Sequence, residues 1–337
     1  MPLEHVVGHR RLVTLLSRAV ARNTLPPSLL FAGPAGVGKK RVALALAQAI
    51  NCADPKTREG IERDGCGECP PCRRIARGVH PDVMLVVPGD SGSIKIETVR
   101  PVIAEAGRRP FEARRRVVII DEADALTEDA QSALLKTLEE PPPSSIFLLV
   151  SSLPDALLTT VRSRCPRMRF GPLPPAEVAA ALARDHKYTE AEAHAAAADA
   201  DGSIGRALSA ESADLVEARE TATRVLQQVA RAHDPGARIT TAQDLSPKKG
   251  SPMNERDQLT ACLRIMASVL RDLGLMASKA DDAVLANTDL RAELDALARS
   301  YDANRSVRAY TAVDEALAAL ERNANSKLVA DWLVLQL

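Results

Sequence analysis

The segment Gly33-Pro34-Ala35-Gly36-Val37-Gly38-Lys39-Lys40 restricts the fold more than any other stretch of the chain. Its spacing is G-x-x-x-x-G-K, with the apolar run Leu29 to Ala32 before it and a helical pattern over Val42 to Ile50 after it. Such a loop turns main-chain N–H groups toward phosphate oxygens, and the helix that follows adds its dipole. Gly33, Gly36 and Gly38 give the loop its freedom, and Lys39 is placed to reach the β and γ phosphates of ATP. One position departs from the pattern. The residue after the lysine is ordinarily Ser or Thr, whose hydroxyl helps hold Mg²⁺. Lys40 has no acceptor for a metal and brings a positive charge. An ammonium still neutralises phosphate, so nucleotide binding stays an expectation, whereas efficient Mg²⁺-assisted hydrolysis does not.

The rest of the first 170 residues supplies the frame that such a loop needs. Val83 to Val87, Val117 to Ile120, Ile146 to Val150 and Arg167 to Phe170 read as buried strands alternating with helical patterns. This order predicts an α/β fold with a parallel sheet flanked by helices. The strand at Val117 ends in Asp121-Glu122-Ala123-Asp124. On a phosphate-loop fold Asp121 falls near the metal position and Glu122 near the attacking water; an acid cluster favoured by a helix dipole is the lesser alternative. Ser151 and Ser152 end the next strand, where Ser152 is a candidate sensor of the γ-phosphate or a plain turn residue.

Cys66-x-x-Cys69-x-x-Cys72 lies in a Gly/Pro-rich loop, with Cys52 at the end of the preceding helix. Four clustered thiols suit a closed tetrahedral zinc site of structural type, placing a zinc-binding insert at 52–72. A redox C-x-x-C is the alternative, without a thioredoxin-like context. Cys165 and Cys262 read as small buried residues. The first residues carry no secretory signal, and no uncharged apolar run has spanning length, so a cytoplasmic protein with no membrane partner is expected.

From Pro172 onward the pattern is helical. Thr189-Glu190-Ala191-Glu192 has the form of a capping box, and Gly202 of a helix stop. Residues 211–233 predict a long helix, and 233–256, rich in Pro, Gly and Ser, a flexible segment before further helices. The domains expected are 1–172, 173–210 and 211–337. Lys plus Arg equals Asp plus Glu at 44 each, and aromatics make up 2%. Neither a global basic footprint nor a base-stacking surface is present, which weighs against a nucleic-acid-binding module.

Thr160-Val161-Arg162-Ser163-Arg164-Cys165, the phosphate loop, the cysteine insert and Leu138-Glu139-Glu140-Pro141-Pro142 together resemble the bacterial clamp-loader ATPases of the AAA+ class. The resemblance covers the first 210 residues. It implies a P-loop AAA+ parallel-sheet domain, a small helical lid and a helical C-terminal collar for oligomerisation. It also implies that Arg164 is an arginine finger acting on a neighbour's ATP site. Gly202 to Leu208 is similar to the family's second sensor, which carries Arg206 over the nucleotide. Within the family, Lys40 and the runs His80-Pro81-Asp82-Val83 and Ile94-Lys95-Ile96-Glu97 look like the delta-prime branch rather than the gamma/tau motor. That branch implies gamma/tau and delta neighbours in a hetero-oligomeric ring, with the sliding clamp and primed DNA reached through the complex. It places the chain in the DNA polymerase III holoenzyme during DNA replication, with polymerase chemistry in a partner and weak or no ATPase of its own. An active gamma/tau-type ATPase and a zinc-bearing nucleic-acid-binding module remain open alternatives.

Overall fold

The computed structural model describes residues 1–209, 212–232, 234–245, 255–278, 285–322 and 324–337. The chain divides into two compact units, Met1–Pro172 and Leu173–Leu337.

In the first unit the elements follow as α1 (Arg10–Ala21), β1 (Ser28–Ala32), α2 (Lys39–Asn51), β2 (Lys56–Arg58), β3 (Ile61–Asp64) and α3 (Pro70–Ala76). They continue with β4 (Val83–Val86), α4 (Ile96–Ala106), β5 (Arg116–Ile120), α5 (Glu128–Glu139), β6 (Ser145–Ser151), α6 (Thr159–Arg162) and β7 (Arg167–Arg169). Five strands form one sheet in the order β4-β5-β6-β1-β7, all parallel. Side chains alternate between its faces. Leu29, Phe31, Val117, Ile119, Ile146 and Leu148 enter one core with Leu16, Val42, Leu46 and Ile50 of α1 and α2. Leu30, Val118, Ile120, Phe147 and Leu149 enter the other, with Val99, Leu134 and Leu138 of α4 and α5. Apolar residues on both faces are what a parallel sheet covered by helices requires, and they explain the continuous apolar runs in the sequence.

Because all five strands run the same way, β1, β5 and β6 deliver their carboxyl ends to one edge of the sheet. Ligands in open α/β sheets bind outside the carboxyl ends of the strands. The antiparallel β2–β3 pair and α3 are additions that the hydrophobic pattern did not predict. They are short, and they fill the cysteine-rich excursion after α2.

The second unit comprises α7 (Pro175–His186), α8 (Glu190–Asp199), α9 (Ile204–Ser209), α10 (Ser212–Arg231), α11 (Pro235–Ala242), α12 (Glu255–Ala277), α13 (Arg291–Leu297), α14 (Ala303–Glu321) and α15 (Ser326–Gln336). The capping box at Thr189 and Glu192 opens α8. The long helix expected over 211–233 is α10; residues 211 and 233 lie outside the described residues. The expected flexible segment 233–256 needs correction. Asp234-Pro235-Gly236 caps α11, with the Asp234 carboxylate accepting from Gly236 N and Ala237 N. The same letters that mark a turn also make an Asp N-cap followed by Pro at the first helical position. The remainder of that segment, 246–254, lies outside the described residues. Helix α12 packs on α10 and α14, and α15 on α11 and α14. On α10, the buried Arg219 makes a paired contact with Asp289 at 2.7 and 2.8 Å and a third with Asn287. Among the described residues no helix is long and apolar enough to cross a membrane.

Candidate nucleotide site and cysteine cluster

The turn between β1 and α2 is shaped by contacts that only glycine permits. A Cβ on Gly33 would lie 2.1 Å from the carbonyl oxygen of Phe170, so the backbone at that point runs against the end of the sheet. Gly38 sits in the left-handed region, with φ of 102°, where it directly precedes the first turn of α2. His9, which the sequence did not single out, lies with Nε2 3.0 Å from the Val37 carbonyl and its ring edge-on to Phe170.

A cavity of about 680 Å³ opens beside the loop, lined by Gly36, Gly38, Lys39, Lys40, Asp121, Glu122 and Ser152 among others. Here the sheet brings together residues from three separate stretches of sequence. The Lys39 ammonium donates to the carbonyls of Gly33 and Pro34 at 2.7 and 2.6 Å. Burial lowers its pKa, while Asp124 and Asp121 act in the opposite direction. Glu122 has a left-handed backbone at φ of 51°, an uncommon state for a non-glycine residue, which turns the chain sharply at the end of β5.

Ser152 does not point freely at the cavity. Its N–H and hydroxyl both donate to Asp124, at 2.9 and 3.3 Å, and Ser151 donates to the same carboxylate at 2.6 Å. Burial opposes the Asp124 charge, but these donors outweigh it and hold the carboxyl below its ordinary pKa. Asp124 thus ties the ends of β5 and β6 together. The sequence showed it only as the last letter of an acidic run.

Lys40 settles how a metal ion would fare here. Its ammonium lies 3.0 Å from Oδ2 of Asp121, the carboxylate expected near Mg²⁺. A divalent cation at Asp121 would face a positive charge at contact distance and would lack the hydroxyl ligand. The residues present therefore do not fit Mg²⁺ held in the ordinary way.

Arg164 follows α6. Its guanidinium donates to the Thr160 carbonyl at 2.8 Å and pairs with Glu139 at the end of α5. Arg206 belongs to the second unit, where it pairs with Asp201 at 2.8 Å and Asp199 at 3.6 Å.

The four cysteines of the insert meet. Sγ atoms of Cys52, Cys66, Cys69 and Cys72 all lie within 4.8 Å of one another, and Cys52 and Cys69 are 3.8 Å apart. Zn–S bonds of about 2.3 Å in a tetrahedron put sulfurs about 3.8 Å apart, so the set fits such an ion. Backbone N–H groups of Cys66 and Cys69 point at the sulfurs of Cys52 and Cys66, both at 3.2 Å. Donors of this kind stabilise thiolate ligands. Burial raises the Cys52 and Cys72 thiols. At Cys69 burial acts the same way, but hydrogen bonds from Cys72 and Ala53 overcome it and bring the thiol to about 7.

A parallel sheet with this strand order, a glycine-rich loop after β1 and acids after β5 form a P-loop fold of the AAA+ class. Residues 8–174 match the family model described as DNA polymerase III, delta subunit. The first unit of the chain thus matches the bacterial clamp-loader family. It is 36% identical over 165 residues to DNA polymerase III subunit delta' of Bacillus subtilis, covering 49% of this chain and 48% of that one. It is also 36% identical over 161 residues to subunit tau of Escherichia coli, covering 48% and 24%. With subunit tau/gamma of Haemophilus influenzae the identity is 34% over 179 residues, covering 53% and 25%. The chain thus spans about half the length of the first of these clamp-loader relatives and about a quarter of the other two. Among solved structures, a DNA polymerase III gamma-subunit-related protein of Thermotoga maritima aligns over 96% of this chain and 97% of its own, at 16% identity and a TM-score of 0.41.

Proposed function

We propose that this chain is a delta-prime-type subunit of the DNA polymerase III clamp loader, cytoplasmic, and stationary rather than a motor. The observation that carries this reading is the Lys40–Asp121 ion pair at 3.0 Å. A gamma/tau-type motor needs Mg²⁺ between its loop hydroxyl and its acidic strand end to neutralise the charge of phosphoryl transfer. Here an ammonium faces the acid, and no hydroxyl follows Lys39. Glu122 is then a poor catalytic residue despite its place on the cavity.

In this reading Arg164 acts on a neighbouring subunit's ATP. A guanidinium matches the spread charge of a transferring phosphoryl group, and Arg164 lies just past the short helix α6 with half-buried anchoring. Arg206 is assigned as second sensor, α7–α9 as the lid, and the helices from α10 onward as the collar that meets gamma/tau and delta. The cysteine cluster holds zinc and fixes the β2–β3 and α3 excursion. The sliding clamp and primed DNA are reached through the assembled ring.

The test is steady-state ATP hydrolysis by the purified chain, alone and after mixing with gamma/tau and delta subunits. The chain alone should show essentially no turnover, and the mixture should form a complex. Turnover by the chain alone that disappears in Lys39→Ala would instead make it a motor.

A further inference from the structure

We infer that the loop at Gly33–Lys40 binds a nucleoside di- or triphosphate without a divalent cation, Lys40 offsetting the Asp121 charge that Mg²⁺ offsets elsewhere. This rests on the reading of that loop as a nucleotide site, and it deepens that reading by naming the form of ligand it takes.

The argument is one of local charge. The groups facing the cavity are Lys39, Lys40 and Arg41 on one side and Asp121 and Glu122 on the other, with Asp124 behind Lys39. Asp124 is spent on three donors from Ser151 and Ser152. Asp121 is the acid that a bound metal would ordinarily neutralise, and here Lys40 neutralises it from the first turn of α2. The charge left to meet phosphates is that of Lys39, Arg41, the loop N–H groups and the helix start. A phosphate chain therefore needs no metal to enter, and a metal entering with it gains no hydroxyl and meets an ammonium. The Lys40 side chain is 44% exposed and carried by a long flexible stem, so it can contact Asp121 and a phosphate together.

The experiment is calorimetric titration of the full chain with ATP and with ADP, in EDTA and in excess Mg²⁺. Affinity in EDTA should equal or exceed that in Mg²⁺. Lys40→Thr should lose about tenfold or more in EDTA, since a hydrogen bond to a charged group is lost and Asp121 is uncovered, and should regain it with Mg²⁺. Lys40→Met should show the same loss with no rescue by Mg²⁺, because it restores no hydroxyl. The inference is overturned if wild-type affinity rises tenfold or more with Mg²⁺, or if neither nucleotide binds in EDTA at millimolar concentration. The wild-type comparison decides alone should a variant fail to fold. Neither outcome touches the assignment as a clamp-loader subunit, which assembly and turnover of the mixed complex test separately.

Discussion

At the scale of single residues, two arginines show how one side-chain type takes different tasks. Arg116 is buried, with its guanidinium on the Asp82 carboxylate at 2.9 Å. Asp82 also accepts from the backbone N–H groups of Phe111, Glu112 and Ala113. Burial opposes its charge, but these four donors prevail and bring its pKa to about 2. Since the folded value lies below the unfolded one of about 3.9, the stabilisation is complete above that value and disappears as pH falls toward 2. The shift corresponds to about 2–3 kcal/mol. Urea unfolding followed from pH 5 to pH 2 should show a stability slope that Asp82→Asn flattens; an unchanged slope would mean that other carboxylates carry it. Asp82→Asn should also cost about 1.5–3 kcal/mol at neutral pH, because Arg116 loses its buried carboxylate and keeps only the partly exposed Glu105 at 3.3 Å. Arg164 is the contrasting case. Its pair with Glu139 is partly exposed, and such pairs contribute about 0–1 kcal/mol, so the side chain can leave it at small cost. Arg164→Ala should therefore leave thermal stability and metal content of this chain within error of wild type. A large loss of stability would make Arg164 a structural residue.

At the scale of elements, what the sequence revealed followed from how local the signal was. The phosphate loop, the five strands of the parallel sheet and the capping box at Thr189 each depend on residues within a few positions, and each was readable. The cysteine set was also readable, because three of its members fall within seven residues and the fourth ends the helix before them. The pairings were not. Lys40 reaches Asp121, Arg164 reaches Glu139 and Asp82 reaches the 111–113 backbone only after the sheet has assembled, and no sequence spacing encodes them. Helix α11 was hidden for a different reason: its cap, Asp234-Pro235, is spelled as a turn is. The hairpin β2–β3 is too short for a period, and it is held by its surroundings. Asp64 at its end accepts from Leu3 and Glu4, and Ser17 of α1 meets the Arg63 backbone. This bears on the metal. With zinc bound, the excursion has a second anchor, so chelation or Cys69→Ser should raise proteolysis within 53–77 while cleavage elsewhere in the first unit stays low. Elemental analysis of untreated protein should give about one zinc per chain. Absence of metal together with ready alkylation of all four thiols would refute the assignment.

At the scale of the whole molecule, the proposed function joins a phosphate loop that would hold charge without metal to an arginine that would act on a neighbour. Both groups lie in the first unit, where the family likeness also resides. The delta' and tau relatives match it at the same 36% identity, so the distinction between stationary subunit and motor rests on residues, Lys40 foremost. The most direct measurement is DNA- and clamp-stimulated ATP hydrolysis by a reconstituted complex in which only this chain is altered, after assembly is verified. With Lys39→Ala, turnover should remain that of wild type if, as proposed, hydrolysis takes place in other subunits. With Arg164→Ala, the site that depends on this finger should lose on the order of 10³-fold, seen as a partial loss in the whole complex, and Arg164→Lys should fail nearly as badly. The reverse pattern, turnover lost in Lys39→Ala and kept in Arg164→Ala, would contradict the account and make this chain the motor.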